Sequence, residues 1–298
     1  MQVTLVNALD LQRQALETCS LELFEQEVME RIGPFWKPFM NRFPGGNPTL
    51  SPAMNAAQMM GYYSPLDDCQ EGIKAITAFE QANTWQACAT AAQRALDALS
   101  PETHGLKLGP IHFTFILGNL KTLKLEYGAY TGAQGMGSAL VMGWPNEIGT
   151  PRLPVASAHE INHLVRFAFE PFMPNLTLGK YLVAEGLAES FALEIVGDKS
   201  LIGPYSSALS QSQLEAVKPK FSAALYEADF NVARAYIFGD WAAEQFHYPK
   251  KGIPDYAGYT VGFELVQTYL RRSGKTATEA TYIPWEEIVN ESGYFEEA

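Results

Sequence analysis

The chain is poor in the features that mark several large protein classes. It has three cysteines, Cys19, Cys69 and Cys88, with no closely spaced pair of the zinc-ribbon type. Three cannot all pair within one chain, and the odd count predicts a reducing, cytoplasmic setting. No run approaches the roughly 18 apolar residues of a membrane-crossing helix, so no membrane insertion is expected. Met1-Gln2-Val3-Thr4 lacks the basic and apolar regions of a secretory leader. Basic residues are scarce: 21 Lys and Arg stand against 33 Asp and Glu, a net charge of −12. Nucleic acid and anionic membranes demand basic surface, so neither is expected as a partner. The glycine-rich stretch Gly128–Gly137 is followed by no Gly-Lys-Ser/Thr, which excludes a phosphate loop. Repeats and low-complexity segments are absent as well.

The 298 residues are 47% hydrophobic and 18% charged, enough for a sizeable core in one large domain or two modest ones. Helical spacing of Leu9, Leu16, Leu23 and Val28 predicts a helix from Ala8 to Ile32, stopped by Gly33-Pro34. A loop is expected over Pro44–Pro48, then helices at Pro52–Met60 and, as a pair, between Asp68 and Leu99. The β-branched and aromatic run Ile111–Leu117 reads as a strand, and Ser138–Trp144 as a second. Further helices are predicted over Pro154–Phe169, Thr177–Val196, Gln211–Ile237 and Tyr259–Arg272. The acidic tail Glu286–Ala298, with five Glu and no base, reads as solvated surface. Strands followed by helices, without a βαβ rhythm, predict a helix-dominated α+β fold.

The sharpest motif is His159-Glu160-Ile161-Asn162-His163. Residues four apart lie above one another on a helix, so His159 and His163 can aim two imidazoles at one ion. Glu160 is rotated off that line, close enough to take a proton from a water on the ion. With five histidines in the chain, chance yields this pattern in roughly one such sequence in 140. Its helix is otherwise apolar, carrying Val155, Ala158, Ile161, Leu164, Val165 and Phe167. Two histidines and a glutamate there are costly to bury without a partner, and a metal supplies one. A catalytic zinc needs a third protein ligand. Glu185 and Glu189 lie on one face of the next apolar helix, one able to bind the metal and the other to accept a ligand histidine's ring N–H.

Leu182-Val183-Ala184-Glu185-Gly186-Leu187-Ala188 resembles the "W-L-N-E-G-F-A" segment of zinc aminopeptidases related to leukotriene A4 hydrolase. The 21 residues between His163 and Glu185 are close to the gluzincin norm. The resemblance implies that Glu185 is the third zinc ligand. By likeness to thermolysin-type relatives, Glu189 is the carboxylate that orients His159. Tyr256-Ala257-Gly258-Tyr259-Thr260-Val261-Gly262 resembles the aminopeptidases' "Y-E-K-G-A-x-V-L" segment, whose tyrosine hydrogen-bonds the oxyanion, and Tyr259 takes that place. Together with Phe238-Gly239-Asp240, these segments are most similar to family 2268 of the domains of unknown function, predicted zinc-dependent proteases, over roughly residues 110–272.

That resemblance implies a thermolysin-like catalytic core with a small antiparallel or mixed sheet over residues 106–298, an added helical region over 1–105, one Zn²⁺ per chain, and a peptide or protein substrate. It departs from the aminopeptidases at Gly135-Met136-Gly137-Ser138-Ala139, aligned with their "G-A-M-E-N", which has no carboxylate to grip a free N-terminus. Endo- and aminopeptidase therefore both stay open. His247, shortly before Tyr259, is a further oxyanion- or proton-donor candidate; Arg234 and Asp240 are candidates for shaping the site. His104 and His112 have no partner spacing. The rival reading is a peptidase-like fold that binds peptide or metal without hydrolysis, although binding alone needs neither Glu160 nor Tyr259.

Overall fold

A computed structural model describes residues 1–38 and 46–296. The chain divides into two compact units, 1–97 with 108–164 and 98–107 with 165–298.

The first unit is built on a four-stranded mixed sheet of order β1-β2-β4-β3, with β1 Val3–Val6, β2 Ile111–Leu117, β3 Tyr130–Gly135 and β4 Ser138–Gly143. β1 and β4 flank β2 in parallel, and β3 runs antiparallel to β4 at the sheet's edge. β2 is buried at every position but His112, as its continuous apolar run requires. Two of the four strands were not expected. β1 has only four residues, and its partner lies more than a hundred residues away. β3 contains two glycines, poor strand formers, and is drawn into the sheet by a two-residue turn. Both turn residues, Met136 and Gly137, have positive φ (51° and 80°), the geometry that matches strand twist in a tight hairpin.

Helices α1 Ala8–Glu17, α2 Leu21–Leu23, α3 Gly33–Trp36, α4 Pro52–Met60, α5 Cys69–Gln81 and α6 Thr84–Leu99 precede β2. The single helix expected over Ala8–Ile32 is interrupted at Thr18–Ser20. Cys19 takes a left-handed φ of 49°, and Ser20 starts a new helix by accepting the N–H of Leu23. A π-helical stretch, Phe24–Met29, follows α2. Gly33-Pro34, expected to stop a helix, instead opens α3, because proline is tolerated in a first turn. The loop expected at Pro44–Pro48 falls partly outside the described residues. The fully buried Gln12 of α1 bridges to the sheet: its amide donates to the Tyr63 and Leu117 carbonyls and accepts the Leu117 N–H.

The cysteines correct the sequence expectation. Cys19 and Cys69 form a disulfide joining the end of α1 to the start of α5, and Cys88 is free and buried. Burial pushes the Cys88 thiol up to about 12. One bond plus one inert core thiol accounts for the odd count, which therefore carries no argument for a reducing compartment. No helix among the described residues is long and apolar enough to cross a membrane.

Helix α7, Leu153–Phe169, begins in the first unit and ends in the second. The second unit is helical: α8 Leu178–Val196, α9 Gln211–Ala223, α10 Phe230–Phe238, α11 Asp240–Gln245, α12 Ala257–Ser273, α13 Ala277–Ala280 and α14 Trp285–Ser292. α8 is its centre, buried on all sides from Leu178 to Leu193 except at Tyr181, as a helix apolar all round must be. The helix expected over Gln211–Ile237 is broken after Ala223. There the chain turns so that the Leu225 and Glu227 carbonyls accept the first N–H groups of α8, and Asp229 caps α10. The acidic tail is only half solvated, since Ile288, Val289 and Tyr294 within it are core.

Candidate metal centre

In the first unit, His159 and His163 stack on one face of α7, ring centroids 4.6 Å apart and nearly perpendicular. His163 is buried and His159 half-buried. Glu160, 7% exposed, lies directly against the edge strand β3. A Cβ at Gly132 would come within 2.2 Å of Glu160 Oε1 and 2.7 Å of its Cγ. Only a glycine lets this carboxylate rest on the strand's backbone. The strand stretch aligned by resemblance, Gly135–Ala139, is instead the hairpin tip and the first residues of β4. The residue facing Glu160 lies three positions earlier.

In the second unit, Glu185 and Glu189 are both buried on α8. Glu189 Oε1 accepts the N–H of Gly203 at 2.6 Å. The segment that Gly203 begins is tied a second time by Thr260, whose hydroxyl donates to the Tyr205 carbonyl (3.3 Å) and accepts the Ala208 N–H (3.2 Å). Tyr259, beside Thr260 in the first turn of α12, packs its ring near Tyr205, Phe238 and Tyr256. This wall at 203–208 was missed in the sequence. Its Gly-Pro-Tyr looks like an ordinary turn, and only the tertiary fold brings it to α8 and α12.

Glycines set the distance between those helices. A Cβ at Gly186 would lie 2.0 Å from the Gly262 carbonyl oxygen, and one at Gly262 2.4 Å from that of Leu182. The α8 and α12 backbones therefore touch where Glu185 and Tyr259 are carried, each within one turn of the contact.

The other sequence candidates separate. His247 is exposed in the turn after α11, at a left-handed φ of 57°, its backbone N–H donating to the Glu244 carbonyl. Asp240 accepts three backbone N–H groups, from Lys251, Gly252 and Ile253, and so shapes that loop. His104 stacks flat on Tyr282.

His159, His163 and Glu185 each offer a ligand atom, and these atoms all lie within 4.8 Å of one another. Two imidazoles and one carboxylate are the donor set of a catalytic zinc with a position left open, so these residues fit that ion.

A protein of Bacillus subtilis (strain 168), "Uncharacterized protein YjfC", is 28% identical over 277 residues, spanning 92% of this chain and 91% of its own length. No solved structure matches the chain. The family model described as "Predicted Zn-dependent protease (DUF2268)" matches residues 84–290, a span that holds α7, α8, α12 and the three strands β2–β4. With well over half its length matched, the chain belongs to the DUF2268 family of predicted Zn-dependent proteases.

Proposed function

We propose that this protein is a zinc-dependent peptidase of the gluzincin type, hydrolysing peptide bonds in peptide or protein substrates. The observation that carries the reading is the convergence of His159, His163 and Glu185 ligand atoms within 4.8 Å, with Glu160 adjacent in sequence. Zinc held there would lower the pKa of a water to about 7 and polarise the scissile carbonyl.

The protein's own groups supply the rest. Glu160, fixed against the Gly132 backbone, takes the proton of the attacking water and returns it to the leaving amine. Tyr259 donates its phenolic hydrogen to the oxygen on which charge develops. Glu189 orients His159 while its Oε1 stays anchored by Gly203 N–H. β3, an antiparallel strand at the edge of the sheet, is the strand on which an extended substrate chain would pair.

Metal analysis and a peptide-library cleavage screen test this together. The protein should hold one Zn²⁺ per chain and lose it in His163→Ala. Glu160→Gln should keep the metal and lose cleavage. Tyr259→Phe should keep metal and fold while kcat falls roughly 10²–10³-fold, the range for one oxyanion donor. A wild type that binds peptides or metal and cleaves nothing would establish the rival, non-hydrolytic reading.

A further inference from the structure

Arg234 of α10 is enclosed by aromatic rings. Its guanidinium carbon lies 5.1 Å from the ring centroid of Phe238, 5.4 Å from Phe230 and from Tyr248, and 5.9 Å from Phe246. Phe230 and Phe238 stand four residues before and after it, on its own face of the helix. Phe246 and Tyr248 come from the turn after α11. Arg234 Nε is buried and has no hydrogen-bond partner among the described residues. Among the described residues no carboxylate is in ion-pair range of this guanidinium.

That isolation does not come from a shortage of acids in a chain of net charge −12. The acids nearest in sequence are engaged elsewhere. Asp229 caps α10, Asp240 holds the 251–253 backbone, Asp255 accepts the Trp241 N–H, and Glu244 pairs with Lys250. Ring faces attract a cation without neutralising it. They also hold the plane of the guanidinium, whose N–H fork matches a carboxylate in a bidentate pair. A fork oriented in advance loses little freedom when it binds. The rim is open: Phe230 is 41% and Phe246 54% exposed. Phe238, one wall of the cage, also packs on Tyr259 at 5.7 Å.

We infer that Arg234 in its cage of Phe230, Phe238, Phe246 and Tyr248 binds a carboxylate of the substrate peptide, and so selects peptides that present an acid one ring away from Tyr259. The inference rests on the peptidase reading for the word substrate; the binding itself does not. A carboxylate reaches the cage from a free C-terminus or from an Asp or Glu side chain, and the surrounding rings favour apolar neighbours on either.

The test is binding to zinc-loaded Glu160→Gln protein, where no turnover interferes. Four fluorescently labelled pentapeptides of one Phe/Ala sequence serve as probes: a free acid, its C-terminal amide, the amide with one internal Glu, and the amide with Gln there. Anisotropy should give the free acid or the Glu peptide about 10- to 100-fold tighter binding than its neutral twin, and which of the two shows it identifies the source. Adding Arg234→Met should remove the difference. Adding Arg234→Lys keeps charge and ring contacts but not the fork, and should lose most of it, so the proposal stays testable if the Met variant fails to fold. Equal binding of acid and neutral twins, no binding of any probe, or a preference that survives Arg234→Lys unchanged overturns it. If the preference holds and the Glu160-intact protein cleaves none of the probes or library peptides, the carboxylate site stands and the peptidase reading falls.

Discussion

Glu160 in the sheet-containing unit and Glu185 in the helical unit each stand beside a glycine, and the two glycines do different work. Gly132 clears space for a side-chain tip: what a methyl group would meet there is the carboxylate of Glu160. Gly186 clears space for a backbone: what its methyl would meet is the Gly262 carbonyl. A side chain can rotate away from an intruder, whereas two packed helices can only move apart. A methyl group at Gly132 should therefore displace Glu160 and leave the fold of the sheet-containing unit intact, whereas one at Gly186 should disturb the helix packing of the other unit. The units differ in a second way, since only the first carries a covalent tie among the described residues, Cys19–Cys69.

That tie gives the largest expected effect. The disulfide spans a sequence separation of 50, and closing a loop of that size is worth about 4 kcal/mol in the chain-entropy account. Replacing Cys19 and Cys69 by Ser should lower stability by up to that amount in urea unfolding. No change would mean that the tie does not form in solution. Next, Gly262→Ala should cost about 3 kcal/mol, read as a fall in melting temperature, because the 2.4 Å approach to the Leu182 carbonyl leaves no side chain to yield.

Gly132→Ala should reverse that pattern. Thermal unfolding should shift little, while kcat falls about 10- to 100-fold as Glu160 is pushed off the strand. If its stability loss equals that of Gly262→Ala, the contrast between the two units fails. The smallest effect should come from Thr260→Val. It removes the hydroxyl that ties Tyr205 and Ala208, and should cost about 1 kcal/mol, detectable by hydrogen exchange at 205–208 before it appears in the melting temperature.

Much of this is legible in the residues themselves. α7 and α8 begin and end within a residue of where apolar spacing and capping residues place them, Thr177 capping α8 and Gly197 ending it. β2 matches its apolar run at both ends. Several of the misses depend on a partner distant in sequence. β1 is four residues whose strand character comes from Ile111–Thr114; β3, by contrast, is glycine-rich and held by the adjacent β4 across a tight turn, and the break at Thr18–Ser20 is local too. The break after Ala223 is decided by the start of α8, about 45 residues earlier, whose open N–H groups take the Leu225 and Glu227 carbonyls. Arg234 is legible in the sequence only as a candidate for shaping the site, because two of its four rings lie beyond α10.

The sequence by itself determined the chemistry on offer. On a helix of 3.6 residues per turn His159 lies over His163 and Glu185 over Glu189, and the apolar residues around them make both helices need burial. What those groups meet was decided only by the tertiary structure: Gly132 beneath Glu160, Gly203 on Glu189, Gly262 against Gly186, Cys69 on Cys19. The physical reason is range. Periodicity and capping act within a turn or two of helix, whereas a close contact depends on two backbones meeting, and no local pattern encodes the distance between them.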